Sequence, residues 1–143
     1  MLIRHKEDVL MGEVADAGDT MLSVLQARPD DETPWLSIRR AVYPLIERYA
    51  DQPERVLRSA RLVKATPALA TLHHEKLASW REVLRPEVAR RFSASPDDTT
   101  DPRPDALIAA ALGCLDAAVA AWAASDGIQP LTQIFDYAVD AIG

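Results

Sequence analysis

The chain has 143 residues, 48% hydrophobic and 27% charged, with a net charge of −6. That length fits a single domain with a self-sufficient core, and the composition excludes wholesale disorder. One cysteine, Cys114, excludes a disulfide framework and a multi-cysteine zinc site, and the acidic balance speaks against a free-standing nucleic-acid binder, which needs a basic face to displace phosphate counterions.

Ten prolines against five glycines, with 6% aromatics, favour helices punctuated by proline over a many-stranded sheet. Lys6 to Ala27 carries Leu10, Val14, Ala17, Met21 and Val24 at helical spacing, and Arg28-Pro29-Asp30-Asp31 stops it. Thr33-Pro34 is a cap followed by proline at the first helical position. The second helix then puts Trp35, Ile38, Val42, Leu45 and Tyr49 on one face, with Pro44 expected to kink or shorten it. Asp51-Gln52-Pro53 opens a short third helix to about Lys64, with Val56, Ala60 and Val63 inward. Thr66-Pro67 repeats the cap signal. The fourth helix carries Leu69, His73, Leu77, Trp80, Leu84 and Val88 along one stripe, and Pro86 is expected to bend it. Ser93 to Asp105 has the composition of a mobile connector. The fifth helix runs from Ala106 to Ala124 and ends at Ser125-Asp126-Gly127, with Gly127 just past its C-terminus. Pro130 opens the sixth, with Leu131, Ile134, Phe135, Ala138 and Ile142 inward. No segment has strand period, so residues 1–143 read as one all-α domain of six helices.

The fifth helix is the most informative. Its apolar run nears the length of a membrane span, but alanine content, Asp116 in mid-run and acidic flanks favour a buried helix of a soluble bundle. No apolar segment follows Met1 before Glu7-Asp8, so no export signal and no membrane are expected, and the cytoplasm is the expected location. Ile108, Leu112, Leu115, Val119 and Trp122 form a bulky stripe. Ala110, Gly113, Cys114, Ala117, Ala121 and Ala124 form a small one. Both should be buried. Either this helix is the centre of a monomeric bundle, or two copies associate through the fifth and sixth helices. The second reading is preferred, because one further helix cannot cover both sides. It gives a homodimer with a four-helix-bundle interface containing Ala110, Gly113, Cys114, Ala117, Ala121, Ile134, Phe135, Ala138 and Ile142.

Catalytic signatures are missing. His74-Glu75 begins an HExxH pattern, but Ala78 stands where the second histidine belongs. No enzyme activity, cofactor or metal is expected. Bulky residues instead point to a shared interior: Met21, Trp35, Ile38, Val42, Leu72, Trp80 and Leu112 face inward from the first, second, fourth and fifth helices, and His73 and Lys76 add polar groups. That combination fits a pocket for an apolar small molecule. The competing reading is a packed core with His73 hydrogen-bonded and Lys76 reaching water. Arg55, Arg58, Arg61 and Lys64 recur every third residue. They read as the solvated face of a short helix, as a contact for an anionic ligand tail such as the phosphates of an acyl thioester, or as a contact for another domain.

The ordered set resembles the effector-binding and dimerisation domain of TetR-family transcriptional regulators. The residues that carry it are Thr66-Pro67-Ala68-Leu69 opening a long helix, Glu75-Lys76-Leu77-Ala78-Ser79-Trp80 within it, Ala106 to Leu112, Ala120-Ala121-Trp122, the Ser125-Asp126-Gly127 turn and Leu131 to Ile142. Lys6-Glu7-Asp8-Val9-Leu10 looks like the junction where the family's DNA-binding head ends. The resemblance implies a repressor's sensor half, homodimeric, with the fourth helix lining an effector pocket. Only Arg4-His5 precedes the junction, so the chain is expected to lack the three-helix head and to bind no specific DNA unless the full gene product supplies one. The alternative is an orphan headless protein that pairs with a full-length relative.

Overall fold

Six helices follow in chain order: α1 (Leu2–Ala27), α2 (Pro34–Ala50), α3 (Pro53–Ala65), α4 (Pro67–Arg91), α5 (Arg103–Ala124) and α6 (Leu131–Ile142). A computed structural model describes residues 2–143, with side chains from residue 12 onward. Leu10 and the junction at Lys6 therefore lie outside the described side chains. Among the described residues the fold is all-α. Thr33 caps α2 through a hydrogen bond from the Leu36 backbone N–H (3.3 Å). Thr66 also precedes a proline, but it is at the same time the C-terminal cap of α3, and its side chain makes no capping bond. Both α2 and α4 run on through their internal prolines, Pro44 and Pro86.

Helix α1 packs on α2 and α4, and α5 lies against α2, α3, α4 and α6. By length and apolarity α5 could cross a membrane, yet it supplies Ile108, Leu112, Leu115 and Trp122 to the core. These residues meet Met21 and Leu25 of α1, Ile38, Val42 and Ile46 of α2, Trp80, Leu84 and Val88 of α4, and Leu131, Phe135 and Val139 of α6. At the α5–α6 turn Gly127 takes a left-handed backbone (φ 73°), and its N–H reaches back to the Trp122 carbonyl at 2.9 Å. This closes the helix in Schellman fashion. A Cβ there would also sit 3.2 Å from Leu57 Cδ1.

Ion pairs and hydrogen bonds fasten the bundle around the first turns of α2. Arg91, with its side chain only 2% exposed, ends α4 beneath the α1–α2 turn. Its guanidinium donates to the carbonyls of Leu25 (2.6 Å), Arg28 (2.9 Å) and Pro29 (3.1 Å) and to Ser37 Oγ (3.0 Å). The carbonyls lie at and just past the C-terminal end of α1, where helix hydrogen bonding leaves acceptor capacity free. Ser37 in turn donates to Glu32 (2.8 Å), which accepts from Arg28 Nε at 2.9 Å. Across the bundle, Arg39 of α2 pairs with Asp136 and Asp140 of α6, and the Tyr43 hydroxyl also donates to Asp136.

Glu32 gives this clamp a pH dependence. The hydrogen bond from Arg28 holds its carboxyl at about 2, against an ordinary 4.5. A lowered folded-state pKa means the stabilisation is complete above about pH 4.5 and is lost as pH falls towards 2. The urea midpoint is expected to drop over that interval, and Glu32→Gln should flatten some of the drop. An unchanged acid profile in the variant would remove Glu32 from the account.

The Ser93–Asp105 connector is more ordered than its composition predicts. Arg85 of α4 donates to the carbonyls of Pro96 (2.7 Å) and Asp98 (3.1 Å) and to Asp105 (3.1 Å), while Arg103 lies over the Phe92 ring at 4.9 Å. Asp101 accepts from the Arg103 backbone N–H, so α5 begins three residues earlier than its apolar run.

Candidate ligand cavity

A cavity of about 760 Å³ opens among five helices. That is within the ordinary range for small-molecule sites. Val14 and Ala17 of α1, Leu45 and Tyr49 of α2, Val56, Ala60 and Val63 of α3, Trp80 of α4, and Leu115, Val119 and Ala120 of α5 make its walls largely apolar. Trp80 is held upright by its indole N–H, which donates to the Val14 carbonyl at 2.9 Å. Gly18, one turn further along α1, permits that approach, since a Cβ there would lie 3.1 Å from Trp80 Cδ1.

Three polar groups stand on the α4–α5 side. His73 Nε2 lies 3.0 Å from both carboxylate oxygens of Asp116, tying α4 to α5. Lys76 Nζ sits 5.2 Å from the centroid of the Trp80 ring. Burial lowers the Lys76 pKa, and the nearby Asp116 charge opposes that shift. Burial, reinforced by Asp116, pushes the Tyr49 phenol up to about 12, so it stays a hydrogen-bond donor. Among the charged side chains lining the cavity, Arg48, Arg55, Arg61, Lys64 and Lys76 face only Glu13 and Asp116. A basic lining in a chain of net charge −6 is a local inversion.

The structure brings together His73, Lys76 and Trp80 from the sequence-predicted lining. It does not bring the others. Met21, Ile38, Val42 and Leu112 are packed into the solid core, Trp35 flanks that core, and Leu72 faces outward. Leu72 misses by its angle around α4; for Met21, Ile38, Val42 and Leu112 the physical reason is height. The helices close tightly at the level of Met21, Ile38 and Leu84. They diverge a turn or two further along, where α3 stands between α2 and α4. Leu45 and Tyr49 continue the predicted α2 face into the cavity, and Val56, Ala60 and Val63 do the same for α3. Sequence reasoning missed Asp116 as a cavity residue, although a lone carboxylate in an apolar helix was the available signal.

The expected seam between subunits also needs correction. Cys114 and Phe135 belong to the core within one chain. They share the inward arcs of Leu115 and Ala118 on α5, and of Leu131 and Val139 on α6. Burial raises the Cys114 pKa, leaving an inert thiol. Gly113, Ala117 and Ala121 are exposed, Ala110, Ile134 and Ala138 are half-buried, and Ile142 is 61% exposed beside the still more exposed Tyr137. Apart from Cys114 and the half-buried Ala110, the small stripe is left uncovered by the chain itself, so the monomeric-bundle reading does not cover that side of α5.

A family model, the MftR C-terminal domain of the TetR class, matches residues 32–143. The chain belongs to this family. No curated protein and no solved structure matches it. The match takes in α2 to α6, hence four of the five cavity walls and the whole exposed α5–α6 face of this MftR-type domain. TetR C-terminal domains belong to transcriptional regulators, which agrees with the resemblance read from the sequence.

Proposed function

We propose that the chain is the ligand-sensing and homodimerising portion of a TetR-type repressor acting in the cytoplasm, with an apolar small molecule as effector. One observation carries this reading: α5 serves both places at once. Leu115, Asp116, Val119 and Ala120 line the cavity, while Gly113, Ala117 and Ala121, on the arc of the helix that adjoins Ala120, are uncovered. A ligand that displaces α5 would therefore move the seam between subunits, and with it any DNA-binding head that the full gene product carries. The cavity-lining residues and the α5–α6 seam are proposals on the same footing.

Light scattering of the wild type should report a dimer. Ala117→Glu would place an unpaired charge in a close-packed seam, at a cost of about 3 kcal/mol or more. That weakens association by roughly two orders of magnitude. Because Ala117 is exposed in the single chain, the variant should still fold, as a monomer with a native helical spectrum. A wild type that is monomeric at every concentration would refute the seam.

A further inference from the structure

We infer that the cavity takes an amphiphilic carboxylate whose charged end is held by Lys76, between α4 and α5, and not by the arginine row of α3. The inference rests on the cavity being the ligand site. It starts from the sign of the lining, where five basic side chains face two acidic ones. Such a lining favours an anion, and the apolar walls favour a hydrocarbon or aromatic body.

Two seats compete for the charge. On α3, Arg55 already pairs with Glu13 at 3.0 Å and Arg61 with Asp126 at 2.7 Å, both arginines are more than half exposed, and Lys64 and, on α2, Arg48 are exposed to solvent as well. A further anion there would meet solvated, compensated charge, which contributes little. Lys76 is different. Among the described residues it enters no hydrogen bond and no ion pair, and its contact is the face of Trp80. The carboxylate whose charge acts on it, Asp116, has both oxygens engaged by His73. The ammonium is thus partly withdrawn from water without an acceptor of its own. A ligand carboxylate would supply one, in surroundings where a charge-assisted hydrogen bond counts for more than at the surface. With its carboxylate at Lys76, the ligand's body would lie along Trp80, Leu115 and Val119.

Decanoate and decanamide, the same chain with and without charge, test this by calorimetric titration of the wild type, Lys76→Met, Lys76→Arg and the Arg55→Gln/Arg61→Gln double variant. Decanoate should bind the wild type at least about tenfold tighter than decanamide. The preference should vanish in Lys76→Met, return partially in Lys76→Arg, and persist in the double variant. Equal binding of the two probes overturns the anionic anchor and leaves an apolar ligand site standing. A preference that survives Lys76→Met and disappears in the double variant places the charge at the rim and overturns the assignment. If neither probe binds the wild type, the ligand-cavity reading itself fails.

Discussion

Trp80→Ala is expected to cost roughly 3–5 kcal/mol of stability, a large share of what a domain of this size possesses. Trp80 is among the largest fully enclosed side chains, and it is at once core and cavity wall. Truncation removes the hydrogen bond to the Val14 carbonyl, merges the ring's volume with the cavity and strips Lys76 of its aromatic contact. Urea unfolding measures the loss, and a cost under about 1 kcal/mol would show that the neighbouring helices collapse onto the gap. A second substitution sharpens the test. Gly18→Ala in the wild type sets better helix propensity against a 3.1 Å approach to the ring. Once Trp80 is alanine that opposition is gone, and Gly18→Ala should stabilise by about 1 kcal/mol. The two changes are expected to be non-additive, and simple additivity would mean that they do not meet.

Arg91→Met should be nearly as damaging, at roughly 3–5 kcal/mol, although it touches no cavity residue. The guanidinium reaches three carbonyls at the end of α1 and the Ser37 hydroxyl, with Nε 3.4 Å from Glu87. Methionine fills much of the volume and satisfies none of those acceptors. Arg91→Lys keeps the charge but loses the planar fork, so it should fall between the two. Chemical denaturation of the three proteins gives the order, and a lysine variant as stable as wild type would reduce the site to a simple charge requirement. Ligand binding below the unfolding transition should be unaffected in both variants.

Why some of this was legible in the sequence and some was not has a geometric basis. Apolar spacing reports the angle of a residue around its helix. It therefore found the buried faces of α1, α2 and α4 and the bulky stripe of α5. It does not report height along the axis. Ile38 and Tyr49 lie on one face of α2, yet one sits in solid packing and the other looks into the cavity. The pairing of His73 with Asp116 joins positions 43 residues apart, and no local pattern encodes such a distance. Cys114 was misplaced because alanine, glycine and cysteine all read as small. On α5 only the neighbouring helices decide which small residues are covered.

Helix α3 buries none of its residues fully. Val56, Ala60 and Val63 turn towards empty volume, and Arg55 and Arg61 fasten the helix to its neighbours through exposed ion pairs. Segments with few buried apolar contacts open at the low end of a protein's free-energy scale. Amide hydrogens of α3 should accordingly exchange well before those of α4 or α5. The cavity can thus be entered by releasing one wall, at far less free energy than global unfolding requires. An occupant that reaches across to Val56 and Val63 would supply the apolar contacts α3 lacks, so the wall would gain order in proportion to how well the guest fits.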